Sequence, residues 1–315
     1  MSYSDFWNVL QYEYMQRALF ASIMVGIICG IVGVFILLRG LVFMGAGIAH
    51  ASFAGGALAI LLGINPFISI FLFGTGSAFS IGYINEKGYM DDNNVAIGII
   101  FSLTMALAIL FMSLIQSYSA DVNALLFGNV LVVTTEDTIL LVEFAILIIG
   151  IIYFFKKELF FTIFDEEMAQ ATGVPTRSIS YLFLLLISLT IVVSLKAIGA
   201  ILVFAMIITP AASAYQWSYK LTNMLILSAI FGAISSFIGL YLSYTFDLPS
   251  GSSITIVISI IFLISLILSP KRRTGKAIGI DHSCKTCEKA DAKGGCIFCE
   301  EEIELAHNHN SHKHH

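Results

Sequence analysis

The sequence predicts an all-α, polytopic integral membrane protein of about eight to ten transmembrane helices, followed by a small Cys/His-rich tail. Three observations predict it. Of 315 residues, 58% are hydrophobic and only 12% charged, with a mean hydropathy of +0.91. Soluble domains carry about 25% charged and about 45–50% apolar residues, and no soluble core hides so much apolar surface. Apolar runs long enough to cross a bilayer, about 20 residues each, recur along the chain. The charge is also uneven: residues 271–315 hold 8 Lys/Arg and 7 Asp/Glu, leaving 8 and 14 for the first 270.

That shift in composition, near Pro270, divides the chain into a transmembrane domain, 1–270, and a tail, 271–315. The net charge of −5 argues against nucleic acid as a partner, and membrane lipid is the expected surrounding. No cleavable signal peptide is expected, because the first 17 residues are polar and aromatic.

Spanning segments are read at 18–38, 41–62, 66–84, 95–116, 137–155, 178–196, 198–215, 222–244 and 252–269. The segment 198–215 is short and carries Pro210, which admits half of a broken helix. Residues 121–133 are too few to span and read as re-entrant or interfacial. Glycines such as Gly26, Gly30 and Gly33 have the spacing of close helix packing.

Arg39, Lys87, Lys156, Lys157, Arg177, Lys220, Lys271, Arg272 and Arg273 fall at alternate loops, which are then cytoplasmic. The N-terminus is expected outside and the tail inside. The longest polar interruption, 156–177, lies on the cytoplasmic side in this topology. Asp165, Glu166 and Glu167 open a short helical run there, and Gly173 and Pro175 end it. It reads as a short helix on the membrane face or as a solvated connector.

Glu167-Met168-Ala169-x-x-x-Gly173 resembles the Glu-Ala-Ala-x-x-x-Gly pattern of ABC importer permeases, with Met168 departing at the second position. Segments 37–63, 119–131, 195–214 and 247–254 resemble, in order, those of one branch: the metal-type permeases for zinc, manganese and iron. No ATP-binding P-loop occurs in the chain, which fits a motor on another polypeptide. The resemblance implies a membrane-spanning permease, not an enzyme, that works as a homodimer or a paired permease. It implies two ABC-type ATPase subunits docking on the coupling residues Asp165, Glu166, Glu167, Ala169 and Gly173, and an extracellular metal-binding protein. Transport itself needs no cofactor in this reading.

His50 is the only histidine in residues 1–270 and falls near the middle of a predicted span. An ionisable group there faces a bundle interior or a cavity, and imidazole is a common metal ligand. It reads as a pathway contact or as a histidine bonding a neighbouring helix, and the resemblance implies the former. The family's aspartate one turn earlier is Ala46 here. Glu143 is a possible replacement, or a packing acid. Lys196 reads as a lysine snorkelling to the interface, Asp121 and Asp247 as outer acids, and Cys29 as a packing residue.

In the tail, Cys284-x-x-Cys287, 8 residues and Cys296-x-x-Cys299 have the spacing of a four-thiolate zinc site, with iron the lesser reading. His282 is an alternative ligand, and His307, His309, His312, His314 and His315 form a looser metal-binding tract. The tail either senses metal at the exit or only folds around zinc. The function expected is the permease subunit of an ATP-driven zinc, manganese or iron importer in the plasma membrane. The alternatives are a permease of the same architecture for a chelate or siderophore, and a membrane sensor or scaffold acting through its tail.

Overall fold

The computed structural model describes residues 11–87, 93–115, 130, 133–164 and 166–269. Eleven helices are described: α1 Glu13–Leu38, α2 Val42–Leu62, α3 Pro66–Glu86, α4 Asn93–Leu114, α5 Thr135–Phe154, α6 Lys156–Phe164, α7 Glu166–Ala171, α8 Thr176–Ile198, α9 Ala200–Trp217, α10 Leu221–Phe246 and α11 Ser250–Leu268. Nine of these, all but α6 and α7, are long and apolar enough to cross a membrane. Each lies on one of the nine segments read from the sequence, so the chain is a polytopic all-α membrane protein.

Local chemistry sets the helix ends. Gly63 closes α2 in the left-handed conformation, and Asn65 caps α3 ahead of Pro66, with Phe67 N donating to its Oδ1 at 3.0 Å. Thr134 and Asp137 form a reciprocal capping box on α5. Pro210 is the reason to expect a broken helix at 198–215. Instead α9 runs unbroken through Pro210, and the break falls at Gly199, whose φ of 86° separates α8 from α9 with one residue. The segment 121–133 lies outside the described residues except for Val130 and Val133.

The most buried spans are α1, α2 and α8. Helix α1 packs along α10 and α9, α8 along α3, α1 and α5, and α2 between α3 and α4. Small residues permit the closest crossings. A Cβ on Gly26 would stand 2.6 Å from the Gly232 carbonyl oxygen of α10, and one on Gly30 2.8 Å from that of Ser228. Ser228 Oγ donates to the Gly30 carbonyl at 2.8 Å across the same seam. Such interhelical bonds contribute about 0.6 kcal/mol each, so backbone proximity and close packing supply most of the seam's stability.

Alternation of the spans gathers Arg39, Lys87, Lys156, Lys157 and Lys220 at one end, here called the basic end. Contacts between distant elements agree: Arg39 reaches Ser180, Arg177 reaches Glu86 and Lys156 reaches Thr222, all at that end. At the opposite end Arg17 and Lys196 are both engaged. Arg17 Nη1 donates to Thr135 Oγ1 at 2.7 Å, and Lys196 Nζ lies 2.6 Å from Asp137 Oδ1.

Candidate functional site

Helix α2 places His50 near mid-span, half buried, with its ring edge-on to Phe101 of α4 at 4.9 Å between centroids. Its Nδ1 is buried and has no hydrogen-bond partner among the described residues. An unmet buried polar atom costs about 1–3 kcal/mol, so a purely packing imidazole would be expected to find a bond. Ala46 lies one turn before it on the same face and offers no ligand atom.

Glu143 is exposed on α5, a helix that packs on α8 and α1, whereas α2 packs chiefly on α3 and α4, and also on α8 and α9. Among the described residues no three metal-ligating side chains converge. The structure therefore does not gather His50 and Glu143 into one ligand set within a single chain. Asp247 is the left-handed cap of α10, φ 54°, a conformation aspartate tolerates better than most residues. Cys29 is buried with its Sγ 3.4 Å from Ser194 Oγ. Lys196 does not snorkel free. It is ion-paired to Asp137 and stands 5.7 Å from the centroid of the Phe67 ring.

The connector between α5 and α8 holds two helices. The second of them, α7, begins at Glu166. Its far end is a Schellman closure: Gly173 N donates to the Gln170 carbonyl and Val174 N to that of Ala169, both at 3.0 Å. This needs the positive φ of Gly173, 85°. Ala169 is buried, while the Met168 side chain is 63% exposed, a large apolar group presented at the basic end. Asp165 lies outside the described residues.

Sequence reasoning missed a second cluster at this end. The first two turns of α8 bond three other elements. Thr176 Oγ1 accepts from Gln170 Nε2 of α7 at 3.0 Å. Arg177 Nε lies 2.7 Å from Glu86 Oε1 of α3, and Tyr181 OH donates to Glu86 Oε2 at 2.6 Å. Ser180 Oγ accepts from Arg39 Nη2, just past α1, at 2.5 Å. These residues, with Leu41 at the N-cap of α2 and Met44 in its first turn, line an open cavity of about 470 Å³. The only sequence signal was an acid among the bases of this end. The tail residues Cys284, Cys287, Cys296, Cys299, His282, His307, His309, His312, His314 and His315 lie outside the described residues.

The ABC 3 transport family matches residues 11–269, the whole bundle. The manganese transport system membrane protein MntC of Listeria innocua is 43% identical over 265 residues, covering 84% of this chain and 94% of the relative. The manganese import system permease protein ScaB of Streptococcus gordonii is 40% identical over 262 residues, covering 83% of this chain and 94% of the relative. Among solved structures, PsaBC from Streptococcus pneumoniae in complex with Fab superposes with a TM-score of 0.79 at 39% identity, over 88% of this chain and 100% of that one. With nine apolar spans among the described residues, this fold and these relatives, the chain belongs to the ABC 3 transport family and is a multi-pass permease of the cell membrane, not an enzyme.

Proposed function

We propose that this chain is the membrane-spanning subunit of an ATP-driven importer of a divalent transition-metal ion, with manganese the first cargo to test and zinc and iron next. The observation that carries this reading is the mid-span imidazole of His50, half buried with an unpartnered Nδ1. A neutral ring nitrogen is a ligand for such ions and binds weakly enough alone to release them. The manganese systems named among its relatives motivate the order of cargoes.

The partners follow from the same reading. Two ATPase subunits dock at the basic end through residues 164–175, where Met168 offers an apolar anchor and Gly173 fixes the end of α7. A second copy of the permease completes the pathway, and Glu143, exposed at mid-α5, faces that copy or the pathway rather than lipid, since a charge in hydrocarbon costs several kcal/mol. An extracellular metal-binding protein delivers the ion at the opposite end. The basic end is cytoplasmic, and the tail that follows α11 there binds zinc through Cys284, Cys287, Cys296 and Cys299. Ala46 favours a second reading, a permease for a chelated metal, because a chelate arrives with ligands of its own. Uptake of radioactive manganese into vesicles that contain the chain and its ATPase tests the proposal. ATP-dependent uptake of the free ion, unaffected by excess apo-chelator on the receiving side, is expected. Uptake of the chelated metal alone would establish the second reading.

A further inference from the structure

Movement of the connector has to reach the helices that hold the pathway, and the contacts at the start of α8 show where it can. Pro175 joins the connector directly to α8. From there two of its side chains converge on one carboxylate: Arg177 on Glu86 Oε1 at 2.7 Å and Tyr181 on Oε2 at 2.6 Å. Glu86 is the last residue of α3, and α3 is packed on α2 with no slack. A Cβ on Gly55 would stand 2.6 Å from the Ser69 carbonyl oxygen, and Ser69 Oγ donates to the Gly55 carbonyl at 2.6 Å. A Cβ on Gly74 would overlap Ser52 Oγ, two residues from His50. Displacing the end of α3 therefore displaces α2. On the other flank Arg39, bonded to Ser180, leads through Gly40 and Leu41 into α2 itself.

We propose that Glu86, gripped by Arg177 and Tyr181, is the positioning residue that passes motion of the connector to α3 and so to His50 on α2. This role rests on the reading of residues 164–175 as the ATPase-coupling element. A carboxylate is suited to it, because its two oxygens take two charge-assisted bonds from one helix, and such bonds are about twice as strong as neutral ones. Side-chain bonds and close packing between rigid helices both have discrete arrangements, so the bond at Glu86 and the seam between α3 and α2 can pass a displacement as one unit.

The test compares metal transported per ATP hydrolysed in the permease reconstituted with its ATPase. Glu86→Gln keeps an acceptor for Tyr181 and loses the ion pair. Arg177→Gln loses the same pair from the other side, at a side chain 72% exposed, so neither change should prevent insertion. Each is expected to lower transport per ATP by at least about fivefold, a coupling energy in the usual range for linked sites. The charge swap, Glu86→Arg with Arg177→Glu, is expected to recover part of it. Gly173→Val is measured beside them. If Gly173→Val uncouples while both glutamine variants transport normally per ATP, the role of Glu86 is overturned and the coupling reading stands. If Gly173→Val leaves coupling intact, both fall. Loss of thermal stability in the glutamine variants with unchanged transport per ATP would likewise overturn the role, because Glu86 would then only hold the fold.

Discussion

Lys196 Nζ lies 2.6 Å from Asp137 Oδ1, and that bond fastens the last turn of α8 to the first turn of α5 at the end remote from the connector. Asp137 is doubly used. Its Oδ2 accepts from Thr134 N at 3.2 Å and from Thr134 Oγ1 at 2.7 Å, closing the cap of α5. The two bonds are served by one carboxylate, and they separate by substitution.

Asp137→Ala removes the ion pair and the return bonds of the capping box, leaving Thr134 Oγ1 to accept from the backbone N of residue 137, while Lys196→Met removes only the pair and keeps the apolar stem beside Phe67. A full N-cap is worth about 1 kcal/mol, and the half of the box lost with Asp137 less than that. A partly buried charge left without its partner costs about 1–3 kcal/mol. Thermal unfolding of the purified protein in nanodiscs is expected to show the larger loss for Asp137→Ala, and less than additive loss in the double variant. Equal, additive losses would mean that the two side chains do not share an interaction.

At Gly173 the backbone makes the prediction. A φ of 85° costs a residue with a Cβ about 1–2 kcal/mol, more for β-branched side chains and less for asparagine. Gly173→Val should loosen the end of α7 and uncouple ATP hydrolysis from transport, with insertion unaffected. Gly173→Asn should stay close to the parent protein, because asparagine visits the left-handed region. Identical behaviour of the two variants would show that the closure of α7 does not matter to coupling.

The nine spans were legible because length and apolarity alone define a spanning helix, and both are counted directly from the residues. The angular position of a residue around a span is not. Nearly uniform apolarity leaves no polar face to orient by, so the sequence offered Glu143 as a neighbour for His50, and the structure places it exposed on a helix packed elsewhere. Pro210 drew attention to a break that Gly199 makes, since a proline inside a helix leaves the helix standing where neighbours support it. Glu86 was invisible for a different reason. Its partner Tyr181 lies 95 residues further on, and an acid at a helix end reads as a solvated side chain until tertiary packing brings it a partner. The helix end at Gly173 was legible, because a glycine and then a proline after a short acidic-headed run have one common explanation.

For the tail, full-length protein purified under reducing conditions is expected to carry about one tightly held zinc through four thiolates. Replacement by cobalt should give the sulfur-to-metal charge-transfer bands of thiolate ligation. Cys284→Ser with Cys287→Ser should abolish those bands and leave basal transport intact. Cobalt bound without such bands would exclude the four-thiolate site and leave the histidine tract as the metal binder.

The pathway prediction concerns His50 and the residue one turn before it. If the unpartnered imidazole contacts the passing ion, His50→Gln, which keeps much of the volume beside Phe101, should cut transport at least about tenfold, the scale on which even indirect partners of a metal affect binding. Ala46→Asp should add a charged oxygen ligand on the same face of α2. Without metal a carboxylate one turn into α2 is costly, so the variant should unfold at a lower temperature than the parent protein. With metal the cost is offset, and the rise in unfolding temperature on adding manganese should be larger than in the parent. Tighter capture should also slow release, so maximal transport falls while half-saturation moves to lower metal concentration. These effects require the imidazole. In His50→Gln with Ala46→Asp, the extra manganese stabilisation should shrink, a coupling that a double-mutant cycle measures. Full transport in His50→Gln, together with additive effects of the two substitutions, would make His50 a packing residue and turn the reading toward a chelated cargo that brings its own ligands.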